Sequence, residues 1–246
     1  MKDNFSAQAA QYALYRPEYP EALYAFLLQH VPARRAAWDC ATGSGQAAAE
    51  LSKHFGVVHA TDLSAAMLAQ APALPNVRYA VCPAEQSALA DDSVDLITVA
   101  QAYHWFRFDA FMAEARRVLR PGGLLAVWGY NLPTITPAVD ERLQHFYTHI
   151  VGPYWDAERR YVDERYRTVP FGVATEIPCP AFDHATQWTL PQLLGYQDSW
   201  SATQHYIRAR STNPVQAFAP ELQRVWGDAE RLPVWFPIFM RAGRFV

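Results

Sequence analysis

The run Trp38-Asp39-Cys40-Ala41-Thr42-Gly43-Ser44-Gly45-Gln46 combines a carboxylate with two closely spaced glycines. Glycine lets the backbone turn sharply and leaves room for a ligand where a Cβ would stand. A helix that starts at such a turn aims unpaired N–H groups into it. About 20 residues later, the spacing expected of a ribose-binding carboxylate, the apolar run Val57-Val58-His59-Ala60-Thr61 ends in Asp62. The pair suits a nucleoside-bearing ligand. Asp62 has a simpler reading as the cap of the helix that follows it.

These residues need a scaffold of alternating strands and helices. Residues 20–31 place Leu23, Phe26, Leu27, His30 and Val31 on one helical face, with Pro20 in the first turn. Strands are expected at 36–40, 57–61, 77–81, 94–100 and 124–128. Helices are expected from Gln46 to Phe55, from Ser64 through Met67 and Leu68, and from Asp109 to Leu119. The near-continuous apolar run Val94 to Ala100 is typical of a strand buried on both faces. This alternation predicts an α/β, doubly wound, mostly parallel sheet. Past Tyr130 prolines and aromatics multiply. Residues 133–172 read as mostly helical, 173–182 as a sixth strand, 190–208 and 214–226 as helices, and 233–240 as the last strand. One domain over 1–246 is expected, with 1–130 mainly holding the cofactor and 133–230 including an aromatic-rich helical lid and the substrate pocket.

Composition narrows the function classes. The chain has 246 residues, 51% of them apolar, and a net charge of −3. It has no basic run; Arg116, Arg117 and Arg120 read as one solvated helix face. Nucleic acid is therefore not an expected partner. Cys40, Cys82 and Cys179 lack metal spacing and read as reduced thiols of a cytoplasmic protein. No stretch has the length of a membrane span, and no metal is expected. Oligomeric state is not legible.

The choice of cofactor turns on Asp39. A dinucleotide-binding turn needs G-x-G-x-x-G, whereas here the pattern is D-x-A-x-G-x-G. A carboxylate repels a pyrophosphate but suits an amino group. Amino group, ribose and adenine together describe S-adenosylmethionine. Cys82-Pro83-Ala84-Glu85 closes strand three, beside the adenine on this reading. Ala100-Gln101-Ala102-Tyr103-His104-Trp105-Phe106 closes strand four, facing the reacting methyl group.

Five ordered motifs resemble the class I S-adenosylmethionine-dependent methyltransferases: Asp39 to Gly45, Asp62, Ala84-Glu85, Asp95 to Trp105, and Arg117 to Gly123. Further pieces are similar to the trans-aconitate methyltransferase-like (methyltransferase type 11) branch. They are Phe5 to Pro20, His104-Trp105-Phe106, Gly152-Pro153-Tyr154-Trp155, Gly195-Tyr196 and Ser199-Trp200-Ser201. The resemblance implies a seven-stranded sheet with one antiparallel strand. It implies that Asp39, Ala41 and Gly43 line the methionine moiety, with Gly45 and Gln46 in the same turn. Asp62 would take the ribose beside Leu63 and Met67, and Ala84 and Glu85 would frame the adenine. Ala100 and Gln101 would stand near the methyl donor. Ala41 replaces the usual first glycine and fits if its φ is negative.

For the small-molecule acceptor, His104 reads either as a base or donor or as a packed residue at a helix start. Tyr103 and Trp105 are candidates for the acceptor side, with pocket wall or core as the plainer reading of Trp105. Arg16 reads as a cofactor contact, an acceptor contact or an ordinary turn cation. Arg159, Arg160, Arg165 and Arg167 are candidate carboxylate partners or solvent-facing charges paired with Glu158 or Glu164. The absence of a clear base beyond His104 favours an acceptor that is already ionised, a carboxylate oxygen of a small organic acid. N- or C-methylation, and cofactor binding without turnover, are the competing expectations.

Overall fold

The computed structural model describes residues 15–245. The motif portion Phe5 to Leu14 therefore lies outside the described residues. Eight strands form one sheet: β1 Ala36–Cys40, β2 Val57–Asp62, β3 Val77–Val81, β4 Val94–Ala100, β5 Leu119–Tyr130, β6 Thr175–Ile177, β7 Phe182–Trp188 and β8 Leu232–Arg244. The order is β3-β2-β1-β4-β5-β8-β6, with β7 also paired to β8. β1 to β5 are mutually parallel, and β8 runs antiparallel to all its neighbours.

The sixth parallel position is divided between β6 and β7. Pro178 and Pro180 lie between them and have no N–H to donate to a ladder. Ile177 faces Ala242 and Phe182 faces Ile238, so one extra residue is accommodated in the gap. The sheet thus has seven lateral positions built from eight strands. β5 contains a comparable irregularity. Val94 pairs with Leu119 and Leu96 with Leu124, so Arg120-Pro121-Gly122-Gly123 bulges out.

Helices α1 Glu21–His30, α2 Gln46–Leu51, α3 Ala65–Leu68 and α4 Phe108–Val118 accompany the first five strands. One core cluster joins α1, α2 and the later helices to one face of the sheet. The other joins α4 and the 160–171 region to the opposite face. The segment expected to be mostly helical is more broken: α5 Pro137–His145, a π turn Phe146–Ile150, a 3₁₀ turn Gly152–Tyr154 and α6 Arg159–Asp163. Pro153 suits the first turn of a short helix rather than the interior of a long one. α7 Leu190–Asp198, α8 Ser201–Arg210 and α9 Pro214–Trp226 follow. Thr189 and Gln192 form a reciprocal cap on α7.

Of the three arginines read as a solvated face, Arg116 is exposed, whereas Arg117 and Arg120 are structural partners. Arg117 bonds Glu114, Asp91 and the Leu89 carbonyl. Arg120 lies 3.2 Å from Asp95, which is fully buried at the amino end of β4.

Candidate functional site

Strand order reverses between β1 and β4, so their carboxyl ends diverge and leave a crevice. Ala41, Asp62, the corner after β3 and Gln101 all stand at this end. The turn after β1 places Ala41, Gly43 and Gly45 at φ 55°, 58° and 79°. Ala41 thus occupies the left-handed region, contrary to the expectation of a negative φ. A Cβ on Gly43 would approach Met67 Cε to 3.3 Å. On Gly45 it would meet Ala71 Cβ at 3.0 Å and the Tyr79 hydroxyl at 3.1 Å. Gly43 therefore keeps the turn close to Met67, and Gly45 packs behind it.

Asp62 binds the turn directly. Its Oδ2 accepts the Gly43 N–H at 2.9 Å and its Oδ1 accepts the Ser64 N–H at 2.8 Å. Each carboxylate oxygen retains acceptor capacity beyond one such bond. Ser64 caps α3 by accepting from the Met67 N–H, so the cap role considered for Asp62 belongs to Ser64. Leu63 is half-buried and Met67 buried beside the turn. An acceptor carboxylate, a glycine turn and an apolar wall at one strand-end crevice fit an adenosine-bearing ligand.

Asp39 sits behind the turn rather than on it. It is 1% exposed. The Thr42 hydroxyl donates to Oδ2 and the Thr98 hydroxyl donates to Oδ1 at 2.8 Å. Burial raises its carboxyl to about 6 despite these hydrogen bonds. It braces the turn and puts negative charge beneath it. Thr98, unnoticed within an apolar strand, is the residue that makes this burial tolerable.

At the third corner Ala84 is buried, and the Glu85 side chain is turned inward to accept the Arg107 N–H at 3.0 Å. Glu85 therefore holds the start of α4. Gln46 donates to the Arg16 carbonyl at 3.3 Å and ties the N-terminal segment to α2. Ala100 ends β4 opposite Trp128. Gln101, at φ 54°, donates to the Tyr130 carbonyl at 3.0 Å and accepts the Tyr130 N–H at 2.9 Å.

A second cavity lies beside this crevice. Arg16, Gln101, His104, Trp105, Trp155, Arg159, Tyr196, Trp200 and Ser201 line it. Arg16 donates to the Tyr130 hydroxyl at 3.2 Å and the Ser199 carbonyl at 3.3 Å. Arg159 donates to the Tyr147 hydroxyl at 2.8 Å, lies 3.4 Å from Asp163 and stacks on Tyr147 and Trp155. Its partner is thus Asp163 rather than Glu158 or Glu164. Arg160 bonds Tyr161, Arg167 bonds the Glu164 carbonyl, and neither they nor Arg165 line this cavity. Burial, and then the Arg159 charge, push the His104 imidazole well below its usual range, so it is neutral.

Tyr103 does not join the cavity. It is fully buried, donates to the Pro170 carbonyl at 2.7 Å and packs against Phe106, Phe111 and Phe171. The Tyr103–Trp105 3₁₀ turn sends successive side chains about 120° apart, so Tyr103 enters the core while His104 and Trp105 line the pocket. No cluster able to hold a metal ion occurs among the described residues. No helix among them is long and apolar enough to cross a membrane.

Residues 38–127 match the methyltransferase domain family. A Dictyostelium discoideum protein described as a methyltransferase is 34% identical over 97% of this chain and 93% of its own. The chain belongs to the class I S-adenosylmethionine-dependent methyltransferases. A solved structure from Anaeromyxobacter dehalogenans, described as a type II methyltransferase, is 42% identical with a TM-score of 0.85. It covers 94% of this chain and 98% of that one. Malonyl-[acyl-carrier protein] O-methyltransferase of Dechloromonas aromatica is 37% identical over 46% of this chain and 41% of its own. This methyltransferase therefore transfers a methyl group from S-adenosylmethionine to a small molecule.

Proposed function

We propose that this methyltransferase esterifies a carboxylate oxygen of a small organic acid. The observation that carries the reading is the cavity lining: two guanidiniums, Arg16 and Arg159, and, among the described residues, no carboxylate. Such a lining attracts an anion and repels a protonated amine. Bound S-adenosylmethionine supplies a sulfonium methyl group whose departure needs no proton. The Ala41–Gln46 turn, Asp62, Leu63, Met67 and the Ala84-Glu85 corner would hold it.

The chain's own residues then have three tasks. Arg159, fixed by Tyr147 and by stacking, orients the carboxylate. Trp105, Trp155 and Trp200 keep water from the anion, which strengthens its contacts with the guanidiniums. Asp39 and Gln101 hold the ends of β1 and β4 so that donor and acceptor meet in line. An acid is already ionised near neutral pH and requires no base, which agrees with a neutral His104. The name of the Dechloromonas relative, an O-methyltransferase, supports oxygen as the acceptor.

Incubation with labelled S-adenosylmethionine and a panel of mono-, di- and tricarboxylic acids tests the reading. Label released by mild base as methanol is expected. Label only in base-stable products would overturn carboxylate methylation.

A further inference from the structure

The phenol oxygen of Tyr166 belongs to a fully buried side chain. The same oxygen lies 2.9 Å from His104 Nδ1. A buried phenol proton needs an acceptor, and among the described residues His104 Nδ1 is the hydrogen-bond partner of this oxygen. Burial keeps that phenol protonated and His104 neutral. A neutral imidazole carries a single ring proton. If Nδ1 accepts from Tyr166, that proton is on Nε2. The Nδ1 edge is turned to Tyr166, so the opposite edge is left to the cavity that His104 shares with Gln101 and Arg159.

We propose that Tyr166 is a positioning residue that locks His104 as its Nε2–H tautomer, so that His104 offers the methyl acceptor a hydrogen-bond donor and not a base. The tautomer follows from the buried phenol proton's need for an acceptor and does not depend on the carboxylate reading. The role toward the acceptor rests on the carboxylate reading, because an anionic oxygen gains from a donor and has no proton to lose.

The backbone supports the assignment. Arg165 and Tyr166 adopt φ of 56° and 57°, two consecutive non-glycine residues in the left-handed region. Such strain persists where the surroundings over-determine it, often at functional sites. Here Tyr166 is clasped by Tyr103 and Phe239, and Arg241 donates to its carbonyl at 3.0 Å.

Long-range proton–nitrogen spectra of ¹⁵N-histidine-labelled protein test the tautomer directly, with His104 assigned by its loss in His104→Ala. A proton on Nε2 and a bare Nδ1 are expected throughout about pH 5.5–8. An Nδ1–H tautomer, or a mixture, overturns the proposal. Tyr166→Phe keeps the ring and removes the oxygen. It should yield mixed tautomers and lower kcat about tenfold, with the KM for S-adenosylmethionine little changed. Retention of the wild-type tautomer and kcat would also overturn it. His104→Gln restores a donor near Nε2 but no base, and should turn over faster than His104→Ala with a flat pH–rate profile on the best acid of the panel. Equal losses in the two variants would contradict a donor role. Failure of the carboxylate reading appears separately, as absence of base-labile product while the Nε2–H signature remains.

Discussion

At the residue scale the site combines tolerated strain with a buried charge. Ala41 holds φ 55° where glycine would be relaxed. A left-handed non-glycine residue costs about 1 kcal/mol or more, so Ala41→Gly should stabilise the protein by about that amount, partly offset by a looser unfolded chain. Denaturant melts would show it, and a lowered midpoint would mean the methyl group contributes packing that outweighs the strain. Asp39 makes a pH-dependent claim. Its carboxyl titrates near 3.8 when unfolded and is raised to about 6 when folded. Between those values the folded state holds more protons, so this group's contribution is present below about pH 4 and is lost as pH rises through about 6. The difference is on the order of 3 kcal/mol. Asp39→Asn should therefore raise the melting temperature near pH 7.5 much more than near pH 4, less whatever its altered bonds to Thr42 and Thr98 cost. Equal changes at both pH values would remove the titration argument. Asp62→Ala should weaken S-adenosylmethionine binding about tenfold or more. Because Asp62 also bonds Gly43 and Ser64, a lower melting temperature should accompany that loss. Calorimetry and a thermal melt of one preparation measure both.

At the scale of elements, the catalytic end depends on how β4 and β5 finish. The Gln101 side chain bonds both backbone groups of Tyr130 and so extends the ladder by one side-chain rung. Gly129 makes room for it: a Cβ there would lie 2.6 Å from Gln101 Oε1 and 2.7 Å from Phe239 Cζ. Gly129→Ala should destabilise the protein by roughly 1–3 kcal/mol and reduce turnover, since Gln101 must swing away. Wild-type melting and turnover in this variant would show that the rung is dispensable. Much of this level was legible in the sequence. The parallel strands, the turn at Gly43 and the carboxylate of Asp62 are local patterns, and the structure brings them together. Residues whose role depends on distant packing were not. Arg159 looked like its neighbours Arg160, Arg165 and Arg167, because nothing in one strand of text says which guanidinium folds back over β4. Tyr103 was misjudged because apolar character beside His104 does not reveal the rotation of a 3₁₀ turn. Tyr166 stood only as one aromatic among many. The division of the sixth strand had a visible cause in Pro178 and Pro180, whose consequence for pairing went unread.

At the scale of the whole molecule, the two ends of the sheet carry different duties, and Asp95 shows the separation. It is fully buried at the amino end of β4. It accepts from the Arg35 N–H and guanidinium, both at 2.8 Å, and from the Ala36 N–H at 3.2 Å. Burial pushes its carboxyl up, but these donors and Arg120 prevail and hold it below the usual range. Its contribution is therefore present above the unfolded carboxyl value and is lost as pH falls through the lower folded value, opposite in sign to that of Asp39. Five residues of extended chain, about 17 Å, separate Asp95 from the end of β4 at Ala100. Replacing Asp95 by Ala leaves the Arg35 and Ala36 N–H groups and two guanidiniums without their shared acceptor and should cost about 1–3 kcal/mol, the scale of leaving buried donors unsatisfied. Because no reacting group lies at that end, the folded fraction of Asp95→Ala should keep the wild-type KM for S-adenosylmethionine and the wild-type kcat. Urea melts and initial rates below the unfolding range separate the two effects. A variant that is stable but slow would mean that strain at the amino end of β4 reaches Gln101. A variant that is unstable yet fully active when folded would establish that Asp95 serves folding alone, so that stability can be tuned at one end of the sheet without touching the site at the other.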